Sequence, residues 1–314
     1  MVQQERKRVF SIRIVAVALL GIAALALPVR GAEEPGGKTF TAPGATIYYE
    51  VRGGGSGTPL FLANGGPGFD HAYLHISDVW DRIAESRTVV FWDQRGNGRS
   101  GALKPGQSCT LADQIADLEA LRAHLGYEKI DLLGHSWGGY LAMAYAARHP
   151  ERIAHLVILD SAAPRWQDTR FLFEDVYPET VEQQKALTYA MTLGDEAAVA
   201  ANLHEYMSML FVSPEKRDAF LAAAHSFAYS GTINQTLNAD LARFDLNPEL
   251  AKFRFPTLVG TGRYDFNVAP STAYHIHKAI PGSRFVVFER SGHLPFFEEP
   301  EAFRRVLEEF LAGQ

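Results

Sequence analysis

Cysteine is almost missing from this chain. Cys109 is the only one in 314 residues, so neither an intrachain disulfide nor a cysteine metal cage can form. Positive charge is also short. There are 30 Lys and Arg against 36 Asp and Glu, for a net charge of −6, which argues against a nucleic-acid partner. Internal repeats and low-complexity tracts are absent. The chain is 47% hydrophobic and 21% charged, the balance of a folded soluble protein, and that excludes a disordered, collagen-like or coiled-coil chain. Its length fits two domains, or one large α/β domain carrying an insertion.

A membrane-spanning run is lacking too. The apolar stretch Ile14–Leu27 has 14 residues, short of the roughly 20 that cross a bilayer. It follows the basic residues Arg6, Lys7, Arg8 and Arg13 and stops at Pro28. Residues 1–32 therefore read as an export signal, with Val29 and Gly31 at the −3 and −1 positions of a cleavage site; an uncleaved membrane anchor is the alternative. This part carries a net charge of +4, and removing it leaves a mature chain near −10, periplasmic or secreted. In an oxidising compartment without a partner, Cys109 reads as a small buried residue and not as a nucleophile.

What is present is alternation. Lys38–Thr41 and Ala45–Val51 read as paired strands about a turn at Pro43-Gly44. Strands are expected at Pro59–Ala63, Arg87–Asp93, Lys129–Gly134, Ala154–Asp160, Thr257–Thr261 and Arg284–Glu289. Helices are expected at Thr110–Leu125, where Thr110 and Asp113 have capping-box spacing, and at Gly138–Arg148, Ser271–Ala279 and Pro300–Leu311. Such alternation predicts an α/β fold with a mostly parallel sheet flanked by helices. It breaks over residues 166–254, which hold helical stretches, no convincing strand and a net charge of −6. That segment is expected to be a helical cap, inserted between core segments 33–165 and 255–314.

Gly134-His135-Ser136-Trp137-Gly138 follows an expected strand and opens an expected helix. In that context Gly-x-Ser-x-Gly places a serine on a tight turn that only small neighbours permit, with a helix N-terminus beneath it. A serine hydroxyl needs a base, and the base needs an acid. In the matching chain order, Asp265 follows the strand Thr257–Thr261 and His293 follows Arg284–Glu289. Ser136, Asp265 and His293 are the candidate catalytic set, with Asp160 at another strand end as the alternative acid. Asn64-Gly65-Gly66-Pro67-Gly68 can aim backbone N–H groups at an oxyanion, so the amides of Gly66 and Trp137 are the candidate oxyanion hole. His135 is expected to pack or touch substrate. His275 and His277 lie two apart on a helix and share no face, so no metal pair is expected there. Gly96-x-Gly98-x-x-Gly101 fits a dinucleotide fingerprint only formally, since it runs into Pro105-Gly106 and opens no helix. The glycosylation pattern at Asn234-Gln235-Thr236 carries no weight alone. No cofactor and no metal are expected.

These residues resemble the proline iminopeptidase branch of the α/β-hydrolase superfamily. Asn64–Gly68 is similar to that branch's His-Gly-Gly-Pro-Gly loop, with asparagine for histidine. The loop Trp92–Ser100, the Gly134–Gly139 elbow and Ser291–Pro295 with Glu298-Glu299-Pro300 resemble its remaining motifs. The resemblance covers about residues 45–165 and 255–311. It implies an α/β-hydrolase fold and removal of N-terminal residues, often proline, from a small or short-peptide substrate through an acyl-enzyme. It also implies cap glutamates that hold the substrate ammonium. This cap has one tryptophan, Trp166, and its acids include Glu174, Asp175, Glu179, Glu182 and Glu205, each expected to be a solvated helix face. A carboxylesterase or lactonase, which needs no ammonium site, is the alternative; a binding protein that lost catalysis is the third reading. The apolar runs Met207–Val212 and Ala219–Ala224 are expected to pack the cap on the core.

Overall fold

The computed structural model describes residues 37–192 and 195–313. Strands β1 (Lys38–Ala42) and β2 (Ala45–Arg52) form the expected hairpin, and β2 pairs antiparallel with β4 (Val89–Trp92). From there every pairing is parallel. The remaining strands are β3 (Leu60–Ala63), β5 (Ile130–His135), β6 (Ile153–Leu159), β7 (Thr257–Gly262) and β8 (Arg284–Phe288). The eight-stranded order is β1-β2-β4-β3-β5-β6-β7-β8. Every residue of β3, β4, β5 and β7 is buried. A parallel sheet with both faces covered requires such continuous apolar runs.

Helices cover both faces. They are α1 (Val79–Ala84), α2 (Leu111–His124), α3 (Trp137–Arg148), α10 (Pro270–Ala279) and α12 (Pro300–Leu311), with the short α11 (Pro295–Glu298) between the last two. Helix α2 carries the expected capping box between Thr110 and Asp113, a device whose loss costs about 1 kcal/mol. Helix α12 buries the stripe Phe303, Leu307, Phe310 and Leu311, and Trp80 of α1 packs edge-on to Phe303 at 5.5 Å. The sequence signals missed α1 and α11, which are too short to show a period.

Between β6 and β7 run α4 (Phe173–Val176), α5 (Pro178–Thr192), α6 (Glu196–Ser208), α7 (Pro214–Ala223), α8 (Gly231–Leu241) and α9 (Asn247–Leu250). This is the helical insertion over the sheet. It is not uniform. Ile233, Leu237, Leu241 and Leu250 join the core cluster that holds Leu118, Tyr140 and Ile276. Residues 227–230 form no strand but make one antiparallel bridge, Phe69 to Tyr229. The export-signal expectation falls on residues 1–32, outside the described residues. No described helix is long and apolar enough to cross a membrane.

Candidate active site

Ser136 sits between β5 and α3 with φ 58° and ψ −121°, backbone angles that cost about 1–3 kcal/mol for a non-glycine residue. The elbow needs its glycines for closeness. A Cβ on Gly134 would run into the Gly138 carbonyl, and one on Gly138 into the Ala63 carbonyl. Trp137 is the first helical residue, so its amide is one of the N–H groups that a helix leaves unpaired at its start.

Asp265 lies beyond β7 and His293 beyond β8. Asp265 Oδ2 accepts from His293 Nδ1 at 2.8 Å, and its Oδ1 accepts the Val268 amide at 2.8 Å. Both side chains are buried, and Ser136 and His293 line one pocket. The structure therefore brings the three expected catalytic residues to one place. At His293 Nε2, however, the hydrogen bond comes from the Asn267 amide at 3.0 Å. The hydroxyl of Tyr206, on α6, hydrogen bonds with Asn267 in turn. Neither partner had a sequence signal.

The strand ends are tied by a proton-ordered chain. Gly65 N–H donates to the Tyr73 hydroxyl at 2.6 Å, which donates to His135 Nδ1 at 2.7 Å. His135 Nε2 then donates to the His293 carbonyl at 2.8 Å. The carbonyl can only accept, so the tautomer of His135 follows. Burial, and then the neighbouring His293, hold His135 well below the usual histidine range, which keeps it neutral. His135 is thus a packing residue linking the oxyanion loop to the histidine loop.

The Asn64–Gly68 loop, the candidate oxyanion loop, is held by its own asparagine. Asn64 Nδ2 donates to the Phe69 carbonyl at 2.9 Å and the Asp70 carbonyl at 3.2 Å, closing the loop base. Gln94 donates to the Asn64 carbonyl at 3.0 Å and accepts from Trp137 Nε1 at 2.8 Å. Arg95 grips Asp117 of α2 with two bonds of 2.7 Å, and both groups are buried. Asp93 accepts from the His71 ring at 2.6 Å and from the Arg99 amide at 2.7 Å. The Gly96–Gly101 loop is occupied in this network; a Cβ on Gly98 would collide with the Asp93 carboxylate.

His71 lies between Asp93 and Glu50, whose Oε1 stands 3.0 Å from Nε2. Two acceptors on one ring require an imidazolium. Burial opposes that charge, but Asp93 and Glu50 outweigh it and raise His71 to about 10. Glu50, His71 and His75 gather within 4.8 Å in the manner of metal ligands. Arg99 and Arg52 also flank Glu50, at 3.2 and 3.6 Å, so its charge is already balanced by fixed cations. Burial and the charge of Asp93 raise Asp70 to about 7.

The cap meets this loop by backbone contacts. Asp70 N–H donates to the Ala228 carbonyl at 3.0 Å and Ser230 N–H to the Gly68 carbonyl at 2.8 Å. The Ala228 amide donates to Asp70 Oδ2 at 3.1 Å. Asn234, the residue of the glycosylation pattern, is buried and donates to the Pro67 carbonyl at 2.9 Å. Glu298 accepts from Val212, Ser213 and Gly292, and His293 N–H donates to the Leu210 carbonyl, so the cap also grips the histidine loop.

The pocket wall is apolar. Phe69, Met207, Leu210, Phe220, Phe227 and Leu294 surround Ser136, and among the described residues no carboxylate belongs to the lining. The runs expected only to pack the cap thus also wall the site. Of the cap acids named above, Glu174 and Glu182 pair with Lys185 in solvent, Asp175 and Glu179 are exposed, and Glu205, expected to be solvated, is half-buried and stands 3.8 Å from His204. Cys109 is buried, and burial pushes its thiol up to about 11. His275 is exposed, while His277 hydrogen bonds with Ser283.

A family model described as the alpha/beta hydrolase fold matches residues 58–300. The chain belongs to the α/β-hydrolase family. It is 32% identical to a proline iminopeptidase of Saccharolobus solfataricus over 280 residues, 85% of this chain and 89% of that one. A second, from Clostridioides difficile, is 32% identical over 85% of this chain and 95% of that protein. Among solved structures, an esterase from Exiguobacterium antarcticum superimposes with TM-score 0.69 and 26% identity, covering 87% of this chain and 98% of that one.

Proposed function

We propose that this α/β hydrolase is a serine hydrolase that takes esters or amides with a compact, uncharged acyl half, with small esters or lactones as its preferred class. One observation carries the reading: among the described residues the pocket around Ser136 has an apolar wall and no carboxylate to meet an ammonium group. Burying an unpaired ammonium there would cost several kcal/mol. Ser136 Oγ attacks the carbonyl carbon while His293 Nε2, exchanging its bond to Asn267, takes the hydroxyl proton. The amides of Gly66 and Trp137 hold the oxyanion, and Asp265 holds the imidazolium. Collapse expels the alcohol or amine, protonated by His293, and leaves an acyl-Ser136. Water, deprotonated by the same histidine, then releases the acid. The 32% identity to proline iminopeptidases favours a second reading, removal of N-terminal proline, whose pyrrolidine ring also suits an apolar wall.

Purified protein assayed on p-nitrophenyl esters of short acids, on lactones and on proline and alanine anilides separates the two. Ester or lactone turnover at least tenfold above anilide turnover is expected. A preference for proline anilide establishes the second reading. Export of the full chain is likewise proposed, and fractionation of expressing cells tests it.

A further inference from the structure

Asp160 ends β6 and points its carboxyl into the triad. It has φ 46°, is buried, and lies with Asp265 and His293 in a cluster whose ligand atoms fall within 4.8 Å. Its Oδ1 accepts the Gly262 amide at 2.8 Å. Its Oδ2 is fully buried and makes no hydrogen bond among the described residues. That orphan is informative, because a buried ionised carboxylate without partners is among the costliest groups in a protein interior.

The neighbour decides where a proton sits. Asp160 and Asp265 bring carboxyl oxygens within 4.8 Å of each other in a dry cluster, and two buried carboxyls that close are relieved when one holds a proton and shares it with the other. Asp265 already accepts from His293 Nδ1 on one oxygen and from Val268 N–H on the other, so both of its oxygens serve as acceptors. Asp160 has the Gly262 amide on Oδ1, the Thr261 hydroxyl beside the carboxyl, and an unsatisfied Oδ2. We propose that Asp160 is a positioning residue: it carries a proton on Oδ2 and donates it as a hydrogen bond to the Asp265 carboxylate. The proposal rests on the catalytic reading above and extends it from three residues to four.

The consequence lies in how negative charge is shared. A third donor on Asp265 spreads its charge and fixes its plane, so that one oxygen stays aligned with His293 Nδ1. Burial first, and the charge of Asp265 second, push the Asp160 carboxyl well above the usual carboxylate range, consistent with a neutral acid. The other polar groups facing this pair are the Thr261 hydroxyl beside Asp160, and Tyr206 and His135 beside the triad.

The test uses kcat/KM against pH on whichever substrate the panel selects. Asp160→Gly deletes the carboxyl, and glycine accepts the positive φ without strain. It should lose about tenfold in kcat, the worth of one hydrogen bond to a charged group. Its acid limb should move to higher pH, because a more basic Asp265 holds the imidazolium more strongly. Asp160→Asn keeps a neutral donor and a residue that tolerates this backbone. It should restore most of the lost rate and return the limb to its native position.

An acid limb moved to lower pH by Asp160→Asn overturns the proposal, since it would mean that a negative charge had been removed. Native behaviour of the glycine variant overturns the positioning role. If the glycine variant does not fold, the infrared difference between native protein and Asp160→Asn decides. A carboxylic-acid C=O band present only in the native protein is expected, and its absence overturns the proposal. Fluorophosphonate labelling of Ser136 in the native protein reads the serine-hydrolase assignment separately, so failure of either claim is visible without the other.

Discussion

The sheet core and the cap meet at Ser136 and contribute different things. The core supplies nearly every polar group of the site, each fixed by a partner at a strand end: Ser136 by its turn, His293 by Asp265, and Asn64 by Gln94. The cap supplies walls and backbone clips: Met207, Leu210, Phe220 and Phe227 on one hand, Ala228 and Ser230 on the other. Tyr206, reaching His293 through Asn267, is its polar exception. Under the proposed reading, the chemistry falls to the half with fixed geometry. Under the same reading, selection falls to the half whose side chains form most of the apolar pocket wall.

The sharpest way to break this division is Ser136→Ala. Turnover should fall about 10⁵-fold, with the melting temperature held within a few degrees; retained turnover would end the assignment. Next is Phe227→Ala on the cap wall. Opening the pocket by one ring should shift the preference toward longer acyl chains by about tenfold, at 1–3 kcal/mol per misplaced group. An unchanged acyl-length profile would return specificity to the core.

Asn267→Ala tests the one polar thread between the halves. The amide donates to the neutral imidazole, so its removal favours the charged form and should move the acid limb of kcat/KM upward. The loss of rate should stay within about fivefold, and a fixed limb would make Asn267 a bystander. A smaller, purely structural effect is expected at His71. Its folded value of about 10 lies above the ordinary histidine value of 6.5. The stability it contributes is therefore complete below pH 6.5 and lost as pH rises through about 10, on the order of a few kcal/mol. His71→Asn should flatten the fall in melting temperature between pH 7 and 10. Smallest of all, Glu174→Gln with Glu182→Gln should leave turnover unchanged within about twofold, because exposed pairs with Lys185 touch no substrate.

The strand–helix alternation and the glycine-bracketed serine were legible in the sequence because each leaves a local mark. Gly134 and Gly138 must be small where they are, and Thr110 with Asp113 must be three apart. The order of motifs likewise pointed to Asp265 and His293. Tyr73, Asn267 and Tyr206 left no such mark. Their roles arise from tertiary contact between segments up to 62 residues apart, as Tyr73 and His135 are. The cap walls were read as packing because an apolar run looks the same against a core as against a ligand. Only the fold shows that Phe220 and Phe227 both join a core cluster and line the pocket at Ser136. The unpaired oxygen of Asp160 could not be foreseen either, since a strand-end aspartate is usually paired or wet.

The stitching of residues 228–230 onto the oxyanion loop has a consequence for how such an enzyme can diversify. Gly68 to Ser230 and Asp70 to Ala228 are joined through main-chain atoms, which any side chain can supply. A lineage could therefore rewrite the cap's side chains, one substrate preference after another, along a seam that holds the catalytic loop in register throughout.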